Sequence, residues 1–294
     1  LEDVIEWAKH FPTDDQQPLD RLASALYVSS DNPRGRLMAM FTAYFDASGN
    51  GVDQPHVVVS GYIASYLQWK LIDGAWRNYH KARGVELPFH AADLMAAISN
   101  PNYKNQTNAR QDYVHLAENR RDAEDFVVDL SALELTMVNC AITAIVPMGI
   151  YKGVSSLLEL REVVPPYALA ARMCIDLVRQ WEHTFGVSER VECIFEEGDF
   201  EQGKFTKLMI DEGMPVPIYK KKIEFVGLQA ADHYAWERAV FVKYEKDERA
   251  KPRMLFNALV GGIPKLHIQA TTKTLIDVCH MKGIDPRTGV THGK

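Results

Sequence analysis

The spacing of apolar positions changes along the chain. Up to about Asn32 it is helical, with Val4, Ile5 and Ala8 and then Leu19, Leu22 and Leu26 separated by a break containing Pro and Asp. This predicts one or two short helices in an N-terminal extension. From Leu37 the pattern becomes a mostly apolar run to Phe45, rich in strand formers. A turn-forming stretch from Ser48 to Gln54 separates it from Val57–Ile63, and the two runs read as a hairpin. Ser65 is placed to cap a helix carrying Trp69, Ile72 and Trp76. Leu87-Pro88-Phe89 reads as a short third strand, leading into a helix at His90–Met95. Asn100 to Asn108 is polar and carries Pro101, so it reads as a mobile loop or insertion placed to gate a cleft.

The second half alternates. A helix is expected over Ala109–Leu130 and a central strand over Leu133–Val146. Pro165 and Pro166 then open a helix that runs through Tyr167, Leu169, Met173, Leu177 and Trp181. A strand at Glu189–Glu196, a helix at Phe200–Glu212, a short strand at Lys222–Val226 and a helix at Gly227–Tyr244 complete the pattern. Mixed strands with helical crossovers predict an α/β layered domain, a mixed sheet flanked by helices. The boundaries drawn are an N-terminal helical extension over 1–35, the α/β domain over 36–245, and a C-terminal extension over 246–294. The last opens in a mixed-charge linker and holds a helix at Lys273–Met281.

Composition narrows the function classes. A formal net charge of -6 gives no global attraction to a polynucleotide, so any such partner must be held by a local basic surface or by cations. No apolar run approaches the roughly 18 residues of a membrane span. Cys140, Cys174, Cys193 and Cys279 are widely spaced and mostly lie within apolar segments, the usage of a reducing compartment. The acidic, amphipathic N-terminus is unlike a secretory signal. Together these features predict a cytoplasmic protein.

The candidate chemistry is acidic. Asp46 ends the first apolar run and is followed at once by turn residues, where a carboxylate faces either a cleft or only the hairpin turn. Asp232 shares a helical face with Leu228, Ala235, Ala239 and Val242. A carboxylate there needs a salt bridge to Arg or Lys, a proton, or a divalent cation. Ile194-Phe195-Glu196-Glu197-Gly198-Asp199 is a second strand running out into acids. The stretch reads either as a solvated strand-to-helix turn with Asp199 capping the next helix or as part of a site. Strand alternation lets only one of Glu196 and Glu197 share a pocket with Asp46, and we take Glu196, with Glu197 and Asp199 as the alternatives. Asp93 sits among Ala91, Ala92, Ala96 and Ala97, either as a first-turn acid favoured by the helix dipole or as a fourth ligand. His90 beside it is either a ligand or a packing residue. Four acids from separate elements suit a phosphoryl-transfer site with two cations about 4 Å apart, since Mg²⁺ and Mn²⁺ favour hard carboxylate oxygens. Lys220 and Lys222, with Lys221, are either phosphate contacts or a solvated basic turn; Ser48 and Gln229 complete the expected substrate contacts. Trp69, Trp76 and Trp236 read as packing residues rather than base-stacking platforms.

Four segments carry a family resemblance. Tyr44-Phe45-Asp46-Ala47-Ser48-Gly49, Phe89-His90-Ala91-Ala92-Asp93-Leu94, Phe195-Glu196-Glu197-Gly198-Asp199 and Gly227-Leu228-Gln229-Ala230-Ala231-Asp232 occur in the order seen in the bacterial family DUF3800. The chain resembles that family over about Met38 to Tyr244. The resemblance implies a ribonuclease H-like sheet and a nuclease-type metal site, with Asp46, Asp93, Glu196 and Asp232 binding Mg²⁺ or Mn²⁺. It points to RNA, DNA or an RNA–DNA hybrid as partner. One position departs, for Ala47 stands where the family carries Glu; alternation from Asp46 turns that position away from the cleft. The competing expectation is a ribonuclease H-like scaffold that binds a partner or nucleic acid without cleaving it.

Overall fold

The computed structural model describes residues 40–49, 54–154, 160, 164–199, 201–244 and 263–284. The helices expected before Asn32 lie outside the described residues. Six strands form one mixed sheet: β1 (Phe41–Ser48), β2 (His56–Ser65), β3 (Cys140–Pro147), β4 (Glu192–Glu196), β5 (Ile218–Lys220) and β6 (Lys265–Gln269). Their order is β5-β4-β1-β2-β3-β6. β1, β2 and β3 pair antiparallel, whereas β4 pairs parallel with β1, β5 with β4, and β6 with β3. This is the α/β class expected from the sequence, a mixed sheet flanked by helices.

Strand alternation divides the core in two. On one face Phe45, Ile142 and Phe195 meet the apolar side of α6 (Pro166–Phe185), α7 (Gln202–Asp211) and α9 (Thr272–Met281). On the other, Tyr44, Tyr62 and Ile194 meet α1 (Tyr66–Ala82), α2 (Ala91–Ser99), α4 (Arg120–Met137) and α8 (Val226–Tyr244). Two shorter helices are α3 (Gln111–Glu118) and α5 (Met148–Val154). Ser65 caps α1 through a capping box with Gln68, as its position predicts. Trp69 and Trp76 are buried in the second core, and Trp236 packs against its margin.

Several expectations are corrected. Leu87-Pro88-Phe89 bends at Leu87 and Pro88 and joins no strand, and the Phe89 N–H donates to the Gln229 side chain rather than to a sheet neighbour. The helix expected over Ala109–Leu130 breaks at Asn119, whose side chain accepts from Arg121 N–H and caps α4. That helix continues to Met137, so β3 begins only at Cys140. The strand expected at Lys222–Val226 is instead a turn, preceded by β5. The polar segment after Asn100 is anchored by Tyr103, which sits in a 3-10 turn and is buried in the second core. The segment assigned to the C-terminal extension supplies β6 to the same sheet.

Candidate functional site

Parallel pairing of β1 with β4 sets Tyr44 beside Ile194 and Phe45 beside Phe195, so Asp46 and Glu196 follow side by side. Both face α8, the side of Tyr44 and Ile194. Ala47, one residue on, packs against the opposite core. Helix α8 brings Asp232 over the same point, and the turn between β5 and α8 delivers Lys222.

Lys222 is the centre of the cluster. Its Nζ donates to Asp46 Oδ2 at 2.8 Å and Asp232 Oδ1 at 3.0 Å, and it lies 2.8 Å from Glu196 Oε2. An ammonium has three N–H groups, so its donor capacity is filled by three carboxylates. The residue is 6% exposed. Burial alone works against the charged amine, but Asp46, then Asp232 and Glu196, outweigh it and hold Lys222 well above the usual lysine range. The second oxygens are also bonded: Ala47 N–H donates to Asp46 Oδ1 at 2.7 Å, and Ala91 N–H, at the start of α2, donates to Asp232 Oδ2 at 2.7 Å. Asp232 thus receives the N-terminal end of a helix as well as the lysine.

One ammonium does not neutralise three carboxylates. Burial pushes Asp46 up to about 6 in spite of Lys222, with Glu196 adding to the rise, and it raises Asp232 as well, with Asp46 contributing. Asp199 lies close by. Burial and the charge of Asp46 push it up to about 6, and its carboxyl group hydrogen-bonds Tyr167. The reading of Asp199 as a helix cap does not hold: Glu201 stands at the N-cap of α7, no side chain caps it, and Asp199 bonds Tyr167 instead. His90 stands at the margin, its ring held below the usual histidine range by burial and then by Lys222.

The remaining expected residues are distributed as follows. Asp93 lies in the first turn of α2, partly exposed, and is not among the carboxylates paired with Lys222. Ser48 ends β1 and is half-buried. Lys220 lies on β5, half-buried. Lys222, expected to meet substrate phosphates, is instead buried among acids. Gln229, expected as a substrate contact, is fully buried: its Oε1 accepts from Phe89 N–H at 2.8 Å and Trp76 Nε1 at 3.3 Å, and its Nε2 donates to Lys222 O at 3.1 Å. Its amide is consumed in joining α1, the approach to α2 and the lysine turn. Gln229 therefore positions Lys222 and cannot reach a substrate.

No protein-family model matches the chain, and no curated protein matches it in sequence. Among solved structures it is similar to Bst-RNase HIII in complex with Mn²⁺, at 15% identity and a TM-score of 0.38, over 84% of this chain and 72% of that one. It is also similar to a point mutant of Bst-RNase HIII, at 13% identity and a TM-score of 0.36, over 72% of this chain and 55% of that one. The chain thus spans about half the length of the mutant structure.

A second polar cluster lies behind Asp232. Glu134 on α4 is fully buried and accepts from the Tyr62 hydroxyl at 3.0 Å, while His233 Nδ1 lies 2.9 Å from its other oxygen. Burial disfavours the imidazolium, but Glu134 outweighs it and raises His233 above its ordinary range. Along the sheet beneath, Ser60, the partner of Asp46, donates to Thr143 at 3.1 Å, and Thr143 to the Tyr234 hydroxyl at 3.3 Å. The clustered acids therefore sit beside sheet residues whose polar groups are bonded to one another. Among the described residues no helix is long and apolar enough to cross a membrane.

Proposed function

We propose that this chain is a divalent-cation-dependent phosphodiesterase of the ribonuclease H-like class, a nuclease acting on RNA, DNA or an RNA–DNA hybrid, and a member of the DUF3800 family. The observation that carries the reading is the meeting of Asp46, Glu196 and Asp232 around one positive centre that leaves two negative charges in excess. Hard carboxylate oxygens in that surplus suit Mg²⁺ or Mn²⁺. The ammonium of Lys222 stands in for a cation at the point of convergence. Its contacts of 2.8 to 3.0 Å are wider than the about 2.1 Å of Mg²⁺, so the acids would have to close inward. Consistent with this spread, among the described residues no group of three or more His, Cys, Asp or Glu side chains is arranged as a metal centre.

Asp46, Glu196 and Asp232 would hold the cation, with Asp93 and Asp199 adding negative potential at the margin. The cation, when bound, supplies Lewis-acid polarisation of a phosphoryl oxygen and a more acidic water. Ala47 N–H and Ala91 N–H each bond one oxygen of Asp46 and Asp232, leaving the other oxygen of each to face the cation position. Lys222, on a flexible four-carbon stem, would have to leave these carboxylates for a cation to reach them.

The test is hydrolysis of labelled single strands, duplexes and hybrids in Mn²⁺, Mg²⁺ or chelator. Cleavage should need the metal and fall by roughly a hundredfold or more in Asp46→Asn and Asp232→Asn. Undiminished cleavage by both variants, or no cleavage of any polymer in either metal, overturns the reading. Lys222 favours one alternative, a ribonuclease H-like scaffold whose acids are neutralised from within and which binds nucleic acid or a partner without cutting. That alternative predicts binding insensitive to chelator.

A further inference from the structure

The clustered acids already have a cation, and it belongs to the chain. Lys222 makes all three of its ammonium contacts with the carboxylates assigned above to the metal, at 2.8, 2.8 and 3.0 Å. A divalent ion at that point would need the same Asp46, Glu196 and Asp232 oxygens that the ammonium occupies, so the two compete. Nor does Lys222 arrive by chance, for Gln229, fully buried, holds the backbone of the turn through Lys222 O at 3.1 Å. The turn that carries the lysine is bonded to the same helix that carries Asp232.

We propose that Lys222 is a built-in plug: its ammonium occupies the cation position in the resting protein, a divalent ion binds only as Lys222 withdraws, and the strength of this competition sets the metal affinity of the site. The inference rests on the metal-dependent reading of the site and adds its regulation. A site open for only a fraction of the time shows its intrinsic affinity reduced by that fraction. Removing the plug should therefore tighten metal binding while loosening the metal-free protein, whose acids lose their counter-ion.

The experiment is isothermal titration of Mn²⁺ into wild type, Lys222→Met and Lys221→Met, with the melting temperature of each recorded with and without the ion. Lys221 is an exposed neighbour on the same turn and controls for loss of a nearby charge. Lys222→Met should bind Mn²⁺ about tenfold tighter or more, melt lower than wild type without metal, and regain stability with it. Lys221→Met should follow wild type. If wild type binds Mn²⁺ as tightly as Lys222→Met, the plug is overturned and the metal site stands. If neither binds, the metal reading itself fails and takes the plug with it. Should Lys222→Met not fold, ¹⁵N-lysine-labelled wild type decides. A solvent-protected ammonium resonance that disappears as Mg²⁺ saturates the protein supports the plug, and one that persists at saturation overturns it.

Discussion

His80 is buried in an aromatic nest, stacked on Trp76 and edge-on to Phe89 and Phe126, with Nδ1 2.9 Å from Trp76 O. Burial lowers it from an ordinary 6.5 to about 4. Between those values the unfolded chain takes up a proton that the folded chain refuses. Stability fully present above about 6.5 is lost as pH falls toward 4, a loss on the order of 3 kcal/mol. Asp46 and Asp199, raised to about 6, act in the opposite sense, contributing stability in acid that is lost as pH rises through 6. Urea midpoints at neutral pH and near pH 4.5 separate the two. His80→Phe, which keeps an aromatic ring in the nest, should lose less stability on acidification than wild type; equal losses would remove His80 as the cause. At this scale the chain was partly legible. Asp46, Glu196 and Asp232 follow from strand ends and a helical stripe, since each is a polar residue where apolar ones belong. Lys222 and Gln229 were misplaced because a basic triplet looks solvated, and an amide next to an acid looks like part of a site, until three-dimensional burial is known.

Helix α8 lies close on β1 because Gly227 has no side chain to hold them apart. A Cβ there would stand 2.4 Å from the ring of Tyr44, itself edge-on to Trp69. Gly227→Ala should therefore cost about 1–3 kcal/mol through overpacking. By lifting the helix that carries Asp232, it should also weaken Mn²⁺ binding. Gly203 in α7 meets nothing within 4 Å, so Gly203→Ala should leave binding unchanged and stabilise by about 0.4–1 kcal/mol. Thermal melts and Mn²⁺ titrations of the pair check both statements, and a harmless Gly227→Ala would refute the close-contact account. Element types were readable wherever the period was long, as in α6 and α8, or wherever a cap was explicit, as at Ser65. Boundaries failed where local pattern met a tertiary demand. Leu133 to Met137 contains strand formers yet stays helical, since Glu134 must reach Tyr62 and His233 from α4. Phe89 has the makings of a strand but gives its N–H to Gln229.

The whole molecule places four free thiols, Cys140, Cys174, Cys193 and Cys279, inside its cores. Burial raises each above the usual thiol range, with Cys193 pushed up to about 12 and Cys140 to about 11. At about pH 8 a disulfide reagent should find none of them in the native protein within minutes and all four in concentrated guanidinium, because thiolate is the reactive form. Fast reaction of any one in native buffer would show that its layer opens locally. The sheet class was foreseeable from alternating strand and helix patterns, but the pairing of β1 with β4 was not, since parallel neighbours are distant in sequence and leave no turn signature. That pairing also fixes an order of events during synthesis. Asp46 leaves the ribosome long before Glu196, and Lys222 and Asp232 come later still, so the central strand waits about a hundred and fifty residues for its parallel neighbour. A nascent chain stalled short of Lys222 carries Asp46 and Glu196 without the ammonium that pairs with them in the finished fold.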